Sequence, residues 1–88
     1  MINMKDKEYN GWKNRQTWNV MLWLGNDEFL YDLAVKFMQT YKGKSPYAHF
    51  IRSIGYENER TPDNIKWLST RLDYKRLNEA MVELKPDI

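Results

Sequence analysis

Between Asn26 and Gly43 the apolar side chains Phe29, Leu30, Leu33, Ala34, Phe37, Met38 and Tyr41 recur at three- and four-residue spacing, with Asp32, Lys36 and Gln39 opposite them. That period belongs to an α-helix with one buried face. Such a helix is marginal alone in water and has to lay its apolar face against other elements. Asn26 or Asp27 supplies an N-cap, Glu28 and Lys42 suit the two ends of the helix dipole, and Gly43 offers a left-handed stop. Nowhere does the chain alternate apolar and polar residues for more than a few positions, so the packing partners are expected to be helices as well.

Three further segments fit that expectation. Trp18 to Leu24 is apolar at six of seven positions, which marks a buried element without showing which face is inward. Thr17 before it and Gly25-Asn26 after it read as helix start and stop. Ser45-Pro46 is a capping hydroxyl followed by proline at the first helical position, and Tyr47, Phe50, Ile51 and Ile54 form an apolar face that Gly55 ends. Asp73 opens a last helix with a Leu77, Ala80, Met81, Leu84 stripe, closed by Lys85-Pro86. Between these, Tyr56 to Arg60 is charged and aperiodic, and Thr61-Pro62-Asp63-Asn64 reads as a cap or turn opening a helical turn through Trp67 and Leu68. Whether Pro62 to Lys85 is one helix or two the pattern leaves open. The fold class is therefore all-α: about four short helices over 11–88, behind a flexible lead-in at 1–10, around a core of Trp18, Leu22, Leu33, Phe37, Phe50, Ile51, Leu77 and Met81.

Composition narrows the class further. At 88 residues the chain suffices for one domain, and its 15% aromatic content gives large buriable area without staples. Cysteine is absent, which removes disulfides and thiolate metal sites and fits a reducing compartment. Residues 1–8 lack a signal-peptide core, and no stretch approaches about 18 uncharged apolar residues, so a soluble cytoplasmic protein with no membrane partner is expected. The net charge of +2 is spread along the chain, neither the concentrated basic face of a dedicated nucleic-acid module nor the acidity of a DNA mimic.

The densest run of unusual residues is Gly11 to Val20, with Trp12, Lys13, Asn14, Arg15, Thr17, Trp18 and Asn19. Tryptophan beside cations can stack a base or a cation, and asparagine can read a base edge or a peptide amide. Equally, large amphipathic residues ahead of a buried helix serve packing, and Asn14 or Thr17 would satisfy the orphan amides of its first turn. This run resembles the hallmark Trp-x-Asn-Arg-x-Thr-Trp-Asn-Val of a family of small uncharacterised phage and bacterial proteins. The likeness continues through Leu22-Trp23, Asn26-Asp27, Leu30-Tyr31, Thr61-Pro62-Asp63, Trp67, Leu72-Asp73 and Leu77-Asn78. Asn64 stands where that family's turn usually has glycine, a residue type that also tolerates a left-handed backbone. The resemblance implies a compact helical domain and a phage or mobile-element setting, and brings no activity with it.

Catalytic signatures are weak. His49 is the sole histidine, the four glycines are isolated rather than gathered into a phosphate loop, and neither metal-ligand spacing nor a nucleophile motif occurs. No enzyme activity, metal or cofactor is expected. A second recognition candidate lies at 60–76, where Arg60, Lys66, Arg71, Lys75 and Arg76 outnumber Asp63 and Asp73 and interleave with Trp67 and Tyr74. The partner-binding candidates are thus Trp12, Lys13, Asn14, Arg15, Lys66, Trp67, Arg71, Lys75 and Arg76. The expected function is a small phage or mobile-element protein that docks on and modulates a host protein, a defence-system inhibitor being one such role. The alternative is a nucleic-acid-binding accessory domain using the same basic and aromatic residues.

Overall fold

A computed structural model describes residues 14–84. The lead-in expected over 1–10, the motif residues Trp12 and Lys13, and the closing Lys85-Pro86 lie outside the described residues. Four helices and no strand occur among those described: α1 Arg15–Asn26, α2 Glu28–Thr40, α3 Pro46–Ser53 and α4 Tyr74–Glu83. Helix α1 packs on α2, α3 packs on α4, and α2 also touches both α3 and α4. The chain is an all-α small domain.

The local chemistry of the helix ends is specific. Asn14, not Thr17, caps α1, its side chain accepting the Thr17 amide at 2.8 Å. The helix runs through Gly25, where the residue neither takes a left-handed conformation nor meets a neighbour. Asp27 then serves both sides of the first corner. Its backbone N–H closes α1 on the Trp23 carbonyl, and its carboxylate accepts the Phe29 and Leu30 amides that open α2.

Helix α2 ends at Thr40, before Gly43, and Gly43 does not take the left-handed conformation expected of it. Its need for glycine is steric instead, because a Cβ there would collide with the Tyr41 phenol ring. The Tyr41 hydroxyl bonds His49 Nδ1 at 2.6 Å and accepts the Ser45 amide at 3.1 Å, which ties the corner into α3. Ser45 makes no side-chain cap; the orphan Tyr47 amide donates to Asn78 Oδ1 of α4 at 3.0 Å. At the other end α3 closes as a Schellman motif: Tyr56 N–H reaches Ile51 O, Gly55 N–H reaches Arg52 O, and Gly55 has φ 79°.

The buried core comprises Val20, Leu24, Leu30, Ala34, Met38, Tyr47, Phe50, Ile51, Trp67, Leu72, Leu77 and Met81. Phe50, Ile51, Leu77 and Met81 lie where the pattern put them. Trp18, Leu22, Leu33 and Phe37 are only half-buried. In α1 the buried residues are Thr17, Asn19, Val20 and Leu24, and at about 100° per residue Trp18 and Leu22 fall on the side opposite the centre of that face. In α2 the inward stripe is Leu30, Ala34 and Met38, so Phe29, one position off that stripe, is 66% exposed.

Of the stretch from Pro62 to Lys85, the described residues hold one helix, α4, and residues 56–73 ahead of it are irregular. A tight fold-back carries the isolated antiparallel bridge between Arg60 and Lys66, with Thr61 N–H on Ile65 O at 2.8 Å and Trp67 N–H on Glu59 O at 3.1 Å. Asn64 sits at its tip with φ 71°, the left-handed conformation its side chain tolerates. The only helix after Ser53 among the described residues is α4, capped by Asp73.

Candidate functional site

Asn19 is a polar residue inside the apolar run of α1 and Thr17 stands directly before that run, yet each is at most 1% exposed. Buried polar atoms need partners, and both find them in the 61–73 segment. Thr61 Oγ1 donates to Asn19 Oδ1 at 2.7 Å, and Asn19 Nδ2 donates to Asp63 Oδ2 at 2.7 Å. The same carboxylate oxygen accepts the Trp23 indole N–H at 2.8 Å. The Asp63 and Ile65 amides return to Thr61 Oγ1 at 3.2 Å each. A carboxylate can only accept, which fixes the amide orientation of Asn19, and a threonine hydroxyl receiving two N–H groups has its proton free for Asn19 Oδ1.

A second tie lies at the other end of the segment. Asn14 Nδ2 donates to the Arg71 carbonyl at 2.9 Å while its Oδ1 caps α1. The Asp73 amide donates to Thr17 Oγ1 at 2.9 Å. Tyr47 closes the set from α3, its buried hydroxyl donating to the Trp67 carbonyl at 2.7 Å. Burial pushes the Tyr47 hydroxyl well above its ordinary pKa, with the neighbouring Tyr74 adding to the effect. No buried side-chain nitrogen or oxygen among the described residues lacks a partner.

Asp63 is held below its ordinary carboxylate range. The Trp23 indole N–H contributes most, then the Asn19 amide; partial desolvation opposes them, and the Arg15 guanidinium adds a smaller lowering. Thr17, Asn19, Trp23, Thr61 and Asp63 therefore form a latch that fastens an irregular segment to α1, and Asn14 extends it. Its signal in the sequence was the pair of polar residues, Thr17 directly before the apolar run and Asn19 within it.

The candidate recognition residues fall into different settings. Arg15, Lys66, Arg71 and Lys75 are exposed, and Arg76 is half-buried. Arg76 stands 4.0 Å from Glu79, both side chains more than a third exposed, so this pair contributes little. The two ties from Asn14 and Thr17 bring the backbone at Arg71 and Asp73, just ahead of Lys75, against the start of α1 at Arg15. Lys66 instead belongs to the bridge with Arg60. Trp67 is 2% exposed and faces the Tyr56 ring at 5.9 Å; it is core. Asn14 has both side-chain polar atoms engaged internally.

One groove of about 290 Å³ opens between the α1–α2 corner and the fold-back. Trp23, Tyr56 and Trp67 supply aromatic surface to it, and Asp27, Glu59 and Arg60 supply charge. The sequence singles out only Trp67 and Arg60 of this groove for recognition, because its parts come from two segments, 23–30 and 56–67, more than 25 positions apart in the chain. His49 is exposed and bonded to Tyr41, and no group of three or more His, Cys, Asp or Glu residues is placed to hold a metal among the described residues.

Fold and surface together define a small all-helical domain with an internally satisfied polar latch, exposed cations and an aromatic groove among the described residues. The chain belongs to a family described as a family of unknown function (DUF7249), which it matches over residues 5–87. Neither a curated protein nor a solved structure matches it. No helix of the described residues is long and apolar enough to cross a membrane.

Proposed function

We propose that this chain is a non-enzymatic binding protein of a phage or mobile element that docks on a host protein and modulates it, inhibition of a defence system being one form of that role. The observation that carries the reading is the division of labour at the start of α1. Asn14 and Thr17 are consumed in holding the fold, whereas Arg15, Arg71 and Lys75, whose backbone those bonds draw towards the start of α1, stand exposed. Exposed cations on a fixed frame add little to stability and much to the recognition of an acidic surface. The phage setting rests on the motif resemblance alone.

The test is affinity capture from the native host with wild type and an Arg15→Ala, Arg71→Ala, Lys75→Ala triple variant, the captured protein being identified by mass spectrometry. The variant is expected to melt within a few degrees of wild type and to lose the partner. Retention of the same partner by the folded variant refutes these cations as its docking surface. Nucleic-acid binding through these residues is the second reading, favoured by the same clustering of cations. It predicts a fall in affinity of about 40-fold between about 50 and 200 mM salt for one phosphate contact per cation, and loss of the captured material on nuclease treatment, which a protein partner survives.

A further inference from the structure

We infer that the groove between the α1–α2 corner and the fold-back is a receptor for an arginine side chain presented by a partner polypeptide. The chemistry of its lining carries the assignment. Trp23 and Tyr56 are half-buried and form its aromatic walls, while buried Trp67 closes the floor. The Trp23 ring cannot swing freely, because its indole N–H is held on Asp63 Oδ2 at 2.8 Å. Fixed aromatic faces attract cations through the ring quadrupole, most strongly when tryptophan is among them.

The charge of the groove points the same way. Asp27 and Glu59 each bring a carboxylate to it. The Asp27 contacts use Oδ1 alone, as the cap of α2, and neither residue makes an ion pair among the described residues. The one cation of the lining, Arg60, has its guanidinium turned onto the Asn64 carbonyl at 3.2 Å. That neutral acceptor leaves its charge in place, so two carboxylates against one guanidinium give the lining a net charge of about −1. A volume of about 290 Å³ lies at the small end of ligand pockets, suited to one side chain rather than to a nucleotide or a helix. A guanidinium fits better than an ammonium, since it is planar, stacks on an aromatic face, sheds water more readily and can engage a carboxylate through two N–H groups. This site is independent of the exposed cations Arg15, Arg71 and Lys75 and uses none of them.

The direct test follows the tryptophan indole N–H resonances by NMR during titration with a blocked Gly-Arg-Gly peptide. The same peptide with citrulline, the neutral counterpart of arginine, and one with lysine serve as comparisons. Saturable shifts of the Trp23 and Trp67 indoles are expected with the arginine peptide, with about 10-fold weaker binding of the citrulline peptide. Glu59→Gln, an exposed substitution that leaves the Glu59 backbone bond to Trp67 intact, is expected to weaken the arginine peptide several-fold. Equal response to arginine and citrulline, or an unchanged affinity in a folded Glu59→Gln protein, overturns a cation site. A lysine peptide that binds as tightly as the arginine peptide overturns the guanidinium assignment.

Discussion

Replacing Thr61 with valine keeps nearly the same shape and removes one hydroxyl, so it isolates the polar half of the latch. Thr61 is 3% exposed and Asn19 is 1% exposed, which leaves little access for water to substitute. Without the hydroxyl, Asn19 Oδ1 loses its donor inside the protein, a penalty of about 1–3 kcal/mol. The Asp63 and Ile65 amides lose acceptors at 3.2 Å; both are only partly buried, so each adds about 0.5 kcal/mol once water has replaced part of the bond. The sum, about 2–4 kcal/mol, is a large fraction of the roughly 4–13 kcal/mol expected for a domain of this length.

That loss corresponds to a fall in Tm of roughly 10–30 °C for a small domain. Thermal and urea unfolding followed by circular dichroism measure it, and a double-mutant cycle with Asn19→Ala measures the pairwise part, expected at about 1–3 kcal/mol. If the segment detaches while the helices stay packed, the urea m-value falls as well, because less surface remains to be exposed. A Thr61→Val protein within about 0.5 kcal/mol of wild type, with no coupling to Asn19, refutes the latch and leaves apolar packing as what holds the segment.

Acid should unlock the same structure. Asp63 is lowered from the ordinary 3.8, so the unfolded chain takes up this proton before the folded one does. Its contribution is complete above that value and lost as the pH falls through the lower folded value. Asp63→Asn is expected to flatten the stability profile below about pH 4 relative to wild type, and an unchanged slope in acid urea titrations would refute the assignment. Tyr47→Phe removes the buried donor to the Trp67 carbonyl and should cost about 1–3 kcal/mol. Urea denaturation checks it, and a neutral result would mean that water reaches that carbonyl.

What could be read from the sequence depended on whether a residue's environment was local or distant. Helix α2 announced itself because Leu30, Ala34 and Met38 repeat every turn against polar Asp32, Lys36 and Gln39. The cap at Asp73 and the stop at Gly55 were equally legible, and the cap of α2 was narrowed to Asn26 or Asp27, since each is decided within a few residues. The inward face of α1 was not. With apolar side chains all round, its orientation is chosen by Thr17 and Asn19 reaching residues that lie more than 40 positions away. The same distance hid the fold-back. Thr61-Pro62-Asp63 looks like a helix start, but the Thr61 hydroxyl and the Asp63 carboxylate bond to Asn19 and Trp23 of α1, and the chain turns back on itself instead of winding on. Trp67 shows the consequence for site prediction: beside basic neighbours it reads as a stacking residue, yet the fold-back turns it into the core.

This arrangement constrains how any binding activity has to be mapped. Asn14, Thr17, Asn19 and Trp23 hold the segment that carries both the groove wall at Tyr56 and Glu59 and the exposed Arg71. Disturbing these four residues therefore displaces every candidate surface at once, and loss of binding in such a variant identifies no contact. Arg15 and Glu59 are the informative positions, because their charged ends are exposed and truncating them leaves the latch bonds in place. A partner lost by Arg15→Ala but kept by Glu59→Gln docks at the exposed cations, the opposite pattern places it at the groove, and loss in both means that one partner spans the two.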